Sequence, residues 1–279
     1  MKTNCFYVLL LVIMFISMDV NAQFDAKTLP DSKLSGKVKS IKEYYSKNRN
    51  DSIGTLKSYV KYDFKGRKTE NGMREIKWTY RYDIKSKLSE LTKFMNDTIE
   101  RGKAIYKYDV KGNKIEELFL DRTYKSKTTF KYTVKGELSE EKFYEKDDLV
   151  WTISYSYDKK GNVTIENKVN AEMKPLDQRT YNYDINGKMI EQVVSLYRKD
   201  GSKIEDKFAY KGGSGSFSYK YNEKGDVIEI NIVLAEGNNT LNFELEYDTN
   251  NNWIKRTCTY KNDESIRFAN MVIREIQYY

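Results

Sequence analysis

The chain has 279 residues, 32% charged and 39% hydrophobic, with 49 Lys and Arg against 41 Asp and Glu for a net charge of +8. Unpatterned, that balance would describe a disordered polymer, but 14% aromatic residues, including 24 Tyr, supply apolar area without loss of solubility. The absence of histidine excludes Ser-His-Asp and Cys-His catalysis and removes the commonest zinc ligand.

In chain order, the first predicted element is a targeting segment. Lys2 supplies a positive start, Phe6 to Ile16 an apolar run, and Val20-Asn21-Ala22 the small residues a signal peptidase reads. Residues 1–22 therefore read as a secretory signal peptide, with Gln23 opening the mature chain. The apolar run is shorter than the ~18 residues a spanning helix needs. Cleavage removes Cys5 and leaves Cys258, which alternates with Arg256 and Tyr260 as a strand thiol, so no intrachain disulfide is expected. Residues 23–36 read as a linker.

From residue 37 onwards one phrase recurs: an aromatic, any residue, Tyr, Asp, two residues, Gly. Tyr106, Tyr108, Asp109 and Gly112 form one copy; Tyr155, Tyr157, Asp158 and Gly161 another; Tyr181, Tyr183, Asp184 and Gly187 a third. Asp63, Asp83, Asp109, Thr133, Asp158, Asp184, Asn222 and Asp248 hold equivalent places, 20 to 26 residues apart except for 38 between Asp184 and Asn222. Repetition at a fixed period settles the architecture before any single residue does.

Before each Asp the residues alternate. Ile76, Trp78, Tyr80 and Tyr82 share one face, and Lys77, Thr79 and Arg81 the other; Trp151, Ile153, Tyr155 and Tyr157 repeat the pattern. Period two means a strand with one buried and one wet face. After it, Asp63 with Gly66, Asp109 with Gly112, Asp158 with Gly161, Asp184 with Gly187, Gly225 after Asn222, and Asp248 have the composition of a tight hairpin loop. Each unit is thus a hairpin of about 25 residues. The predicted fold is all-β: tandem hairpins forming an extended, twisted antiparallel meander, an open or curling sheet over residues 37–279. A Gly/Ser-rich loop near 211–216 interrupts it, and a capping unit over 249–279 closes it.

These units resemble the YD or RHS-type repeats of bacterial exported proteins, from about Lys37 to the C-terminus. Thr133, Asn222 and Ser86 depart from the pattern. In large members of that family the repeats spiral into a shell around a toxin. No toxin-like domain follows the repeats here, so the resemblance implies a fold and an exported location more than an activity.

The candidate chemistry is sparse. Neighbouring acids such as Glu116-Glu117 and Glu140-Glu141 point to opposite faces of a strand and do not converge. The recurrent Asp lacks the clustered oxygen ligands of a calcium loop. No catalytic residue, metal or cofactor is expected. Trp78, Trp151 and Trp253 are the candidate ligand-binding residues, either as a platform for sugar rings or as sheet packing.

The reading is a non-catalytic exported protein that offers its sheet to a carbohydrate or another cell-surface macromolecule. It has no specific nucleic-acid partner and does not span a membrane, and the oligomeric state is open. One alternative is an assembly protein pairing through sheet edges. The other is an outer-membrane β-barrel, disfavoured because return strands such as residues 137–144 carry charge on both faces.

Overall fold

The computed structural model describes residues 34–47, 54–198, 200–204, 215–234, 237–261 and 266–279. The signal peptide, most of the linker and residues 211–214 of the Gly/Ser-rich stretch lie outside the described residues, whereas Gly215 and Ser216 open a strand. The described residues contain eighteen strands and no helix. The first nine are β1 (Val38–Ser46), β2 (Thr55–Tyr62), β3 (Lys68–Met73), β4 (Ile76–Tyr82), β5 (Leu88–Met95), β6 (Ile99–Tyr108), β7 (Lys114–Asp121), β8 (Lys125–Tyr132) and β9 (Leu138–Glu145). Then follow β10 (Asp148–Tyr157), β11 (Val163–Asn170), β12 (Pro175–Tyr183), β13 (Met189–Leu196), β14 (Gly215–Tyr221), β15 (Val227–Leu234), β16 (Gly237–Tyr247), β17 (Trp253–Lys261) and β18 (Ile266–Tyr278).

Every strand pairs antiparallel with its neighbours in sequence, and β1 pairs with both β2 and β18, as in Ile41↔Val60 and Ile41↔Ile276. The sheet is therefore a closed eighteen-stranded barrel, and the open or curling sheet expected from the repeats is corrected. Closure also removes the edge strands that the assembly alternative required.

The repeats themselves supply the physical reason. In each hairpin the register shifts at the Tyr before the turn: Lys61 faces Glu70 but Tyr62 faces Lys68, Arg81 faces Glu90 but Tyr82 faces Leu88, and Lys107 faces Glu116 but Tyr108 faces Lys114. The same shift recurs at Tyr132, Tyr157, Tyr183, Tyr221 and Tyr247. An extra residue on one strand bends and twists the pair. Repeated at one height and with one sense in every hairpin, that bend accumulates around the sheet until β18 meets β1.

The Tyr at the bulge has a second role. Pairing between consecutive hairpins stops short of this rim, at Glu70↔Thr79 between β3 and β4 and at Ile165↔Thr180 between β11 and β12. Beyond it the Tyr hydroxyl supplies the missing donor: Tyr82 donates to the Lys68 carbonyl at 2.7 Å, Tyr108 to Leu88 at 2.8 Å, and Tyr132 to Lys114 at 2.8 Å. Tyr157 bonds Leu138 at 2.7 Å, Tyr183 bonds Val163 at 2.8 Å, and Tyr221 bonds Met189 at 2.6 Å. In the last two units the acceptors are the carboxylates of Asp226 for Tyr247 and Asp248 for Tyr278.

The two faces differ in kind. Facing inward, Tyr219, Val227, Ile230, Ile232, Leu241, Phe243 and Cys258 form a buried cluster on the β14–β17 arc. Facing outward, Lys and Glu stand opposite each other across several of the hairpins. Lys61–Glu70 at 2.9 Å, Lys107–Glu116 at 2.7 Å, Lys131–Glu140 at 2.9 Å and Lys220–Glu229 at 2.7 Å are four such pairs, with the Lys side chains 55–68% exposed, and Lys255–Glu246 at 2.7 Å is a fifth. Each such pair contributes a few tenths of a kcal/mol to about 1 kcal/mol. The charges of residues 137–144 are thus divided: Glu140 pairs outward with Lys131, while Glu141 turns inward and accepts from the Tyr155 hydroxyl at 2.8 Å.

Candidate functional site

Two parts of the barrel carry recognisable chemistry: the inward aromatic wall and the rim made by the Asp-to-Gly turns. On the wall, the period-two alternation places Trp78 on β4 opposite Lys93 of β5. Trp151 on β10 stacks on Phe143 of β9, ring centroids 5.1 Å apart and planes 10° from parallel. The Lys168 ammonium lies 4.5 Å from the Trp151 ring centre. Trp253 on β17 is buried between two guanidinium groups, Arg274 at 3.3 Å and Arg256 at 5.0 Å from its ring centre. Arg274 in turn bonds Glu43 across the β1–β18 pair at 2.9 Å. The three Trp thus sit on separate arcs and form no common platform; Trp78 and Trp151 are half-buried, and Trp253 is packed.

The rim is built turn by turn. The Asp63 carbonyl accepts from Gly66 N–H at 2.8 Å, and its N–H donates to the Arg67 carbonyl at 2.8 Å. Its carboxylate accepts from the backbone N–H of Lys65 and Arg67. Asp109 with Gly112, Asp158 with Gly161 and Asp184 with Gly187 repeat this bonding. Asn222 and Asp248 hold the same place, with Gly225 and Asn251 closing their turns. Gly112 and Gly161 have φ of +85° and +86°, a conformation that costs other residues a steric penalty. Where the pattern departs from glycine the backbone does not: Ser86 has φ +62° and Asn251 φ +63°. Hydrogen bonds from Asn113, its backbone N–H first and then its side chain, hold the Asp109 carboxyl below the ordinary carboxylate range. The Asn162 side chain and then its backbone N–H do the same for Asp158.

All eight of these turns lie at one end of the barrel, since the strands run up and down in sequence order. They touch one another. Arg67 bonds the Ser86 hydroxyl at 3.1 Å, Lys160 the Ile185 carbonyl at 2.7 Å and Lys224 the Asn251 side chain at 2.6 Å. At the outermost point, immediately after the Asp, stand Phe64, Ile84, Val110, Val134 and Ile185, exposed by 67%, 101%, 102%, 99% and 87%. Sequence reasoning passed over these residues. The signal was present, because a tight turn is ordinarily polar and here an apolar residue follows the Asp in five of eight copies.

Closed barrel, polar outer girdle, aromatic inner wall and apolar-tipped rim together define an all-β barrel protein. No family model matches the chain, and no curated protein matches it. Among solved structures it is similar to a porin-like protein from Bacteroides uniformis, at 9% identity and a TM-score of 0.47, over 89% of this chain and 100% of that one. It is similar to a porin-like protein from Bacteroides vulgatus at 12% identity and a TM-score of 0.43, over 87% of this chain and 98% of that one. It is also similar to TcdB2-TccC3, at 12% identity and a TM-score of 0.42, over 78% of this chain; the match spans only 13% of that chain. At these scores the fold assignment rests on the strand pairing itself.

The barrel corrects one expectation about partners. The expectation that the chain does not span a membrane rested on return strands, such as residues 137–144, charged on both faces. A sheet closed on itself pairs its edge strands, and closed barrels are the β architecture able to lie across a bilayer.

Proposed function

We propose that the chain is a non-catalytic, exported β-barrel that works at the outer membrane. The observation that carries this reading is closure: an even number of antiparallel strands joined edge to edge by the β1–β18 pair, as bacterial outer-membrane barrels are. The pattern of residues 1–22 supports export. The Lys–Glu girdle bears on depth. A Lys on a lipid-facing wall costs about 2–4 kcal/mol at the bilayer midplane and much less at its interfaces, so the girdle belongs at headgroup level or in water. Fractionation of cells producing the full chain tests the reading. The protein should sediment with outer membranes and be released by detergent; recovery in the soluble exported fraction refutes it.

A second reading concerns the interior, and Trp151 favours it. This ring is half-buried, stacked on Phe143 and flanked by Lys168, an inward surface suited to stacking with a sugar ring. A glycan that binds there should change Trp emission, and Trp151→Ala should abolish the change. A response that survives Trp151→Ala removes this reading.

A further inference from the structure

The exposed apolar tips are not explained by folding. The position after the Asp makes no demand for an apolar side chain, and the Asn222 turn places Glu223 there and the Asp248 turn Thr249. Yet the turns at Asp63, Asp83, Asp109, Thr133 and Asp184 place Phe64, Ile84, Val110, Val134 and Ile185 there, exposed by 67–102%. Single exposed apolar residues are ordinary; five at one repeat position on one rim are a pattern. The only interruption, at Asp158, is Lys159.

A cation accompanies each tip. Lys65, Lys85, Lys111 and Lys135 directly follow four of them and are exposed, and the exposed Lys160 of the neighbouring turn bonds the carbonyl of the fifth, Ile185, which Asn186 follows. Successive turns are two strands apart, roughly 10 Å along the rim at ordinary strand spacing, and the gap doubles across Lys159. The arc is therefore a row of separate apolar points, each beside a cation. A rigid protein surface would need a matching row of pockets at that spacing. A lipid interface needs none, since acyl chains accept each apolar tip where it falls, while long Lys side chains keep their ammonium groups among headgroups. The Lys content specifies an anionic surface.

We propose that the arc of hairpin tips from Phe64 to Ile185 is a lipid-docking rim that inserts its apolar residues into an anionic membrane interface, with the adjacent Lys on the headgroups. The proposal rests on the reading of the chain as a barrel at the outer membrane, and names the surface that makes the contact. The turns at Asn222 and Asp248 lack apolar tips, so the barrel leans on one side of its rim.

Cosedimentation of the mature chain with vesicles tests it, using phosphatidylcholine alone and phosphatidylcholine with about a third phosphatidylglycerol. The chain should bind the anionic vesicles at least about tenfold more tightly than the neutral ones, and high salt should weaken the binding. The triple variant Ile84→Ser, Val110→Ser, Val134→Ser should lose at least about tenfold in anionic-vesicle binding. These side chains are fully exposed, so its thermal melt should be that of the parent. The Lys85→Gln, Lys111→Gln, Lys135→Gln variant should lose the preference for anionic lipid. Equal vesicle binding by parent and Ser variant overturns the proposal. So does binding to neither vesicle, or a Ser variant whose only change is loss of self-association, which would make the rim a contact between copies. The two readings fail separately. If parent and Ser variant both sediment with outer membranes, the barrel works at the membrane but not through this rim. If the parent stays soluble in cells while the purified chain binds anionic vesicles through its tips, the rim stands and the location fails.

Discussion

Replacing Tyr157 by Phe removes one oxygen and leaves the ring in place. The Leu138 carbonyl, which accepts that hydroxyl at 2.7 Å, then loses its donor where the pairing between β9 and β10 has already ended at Ser154↔Glu140. A typical intramolecular hydrogen bond contributes about 0.5–1.5 kcal/mol net. For a domain of this size about 1 kcal/mol corresponds to a fall in Tm of ~2–4 °C. Tyr106 is the matched control: it also faces inward, and its hydroxyl makes no hydrogen bond among the described residues. Tyr106→Phe should therefore melt within about 1 °C of the parent. The rungs at Tyr108, Tyr132 and Tyr157 repeat every two strands, about 10 Å apart, far enough to act independently. The triple Phe variant should thus lose about 3 kcal/mol in urea or thermal melts followed by circular dichroism. Equal losses for Tyr157→Phe and Tyr106→Phe would show that burial of the ring, not the hydroxyl rung, selects Tyr at this place.

At the turns, Gly161→Ala should destabilise by about 1 kcal/mol or more, since φ is +86° there, while Ser86→Gly should stabilise slightly; opposite signs in denaturant melts would refute the backbone argument. The lowered carboxyls of Asp109 and Asp158 contribute stability that is present above the ordinary Asp value near 3.9 and is lost as pH falls through their lower folded values. The urea midpoint should accordingly drop on acidification below about pH 4, less steeply in the Asp109→Asn, Asp158→Asn variant; identical slopes would exclude these turns as the cause. At the closure, Arg274→Met leaves the Glu43 carboxylate only the Ser58 hydroxyl as a hydrogen-bond donor among the described residues and should cost about 2 kcal/mol, with part recovered on adding Glu43→Gln. A double variant no better than the single would show that Arg274 acts through Trp253 instead.

The repeat made the hairpins legible. Asp109 and Gly112 state the turn, and the alternation through Tyr106 and Tyr108 states which side chains share a face, because both properties are local. Closure was not legible, since the bulge that bends each pair is one uncommitted residue, Ile115 between Lys114 and Glu116 for instance, that composition does not distinguish from its neighbours. Nor was the bond from the second Tyr of the units from Tyr82 to Tyr221, whose acceptor lies in the preceding hairpin and is a backbone carbonyl without a sequence signature. At the rim, Ile84 and Val110 were visible as apolar residues in turns, but only their exposure separates a surface device from a tucked-in side chain. The three Trp were read as one class because all three are large aromatic rings on strands, and the wall treats them differently: two Arg guanidinium groups lie against Trp253, whereas Trp151 rests on an aromatic ring.

The pairing of β1 with β18 also dictates an order of events during synthesis. Ser40, Lys42 and Tyr44 find their partners Gln277 and Glu275 across more than 230 residues of chain, so the closing contacts are the last to become possible. Pairing over such separations is slow. Until β18 emerges, every intermediate is a growing ribbon with two unpaired margins, each able to zip onto another ribbon. The nascent chain therefore passes through a window of vulnerability that the finished barrel does not share. A truncation of even the final strand would make that window permanent.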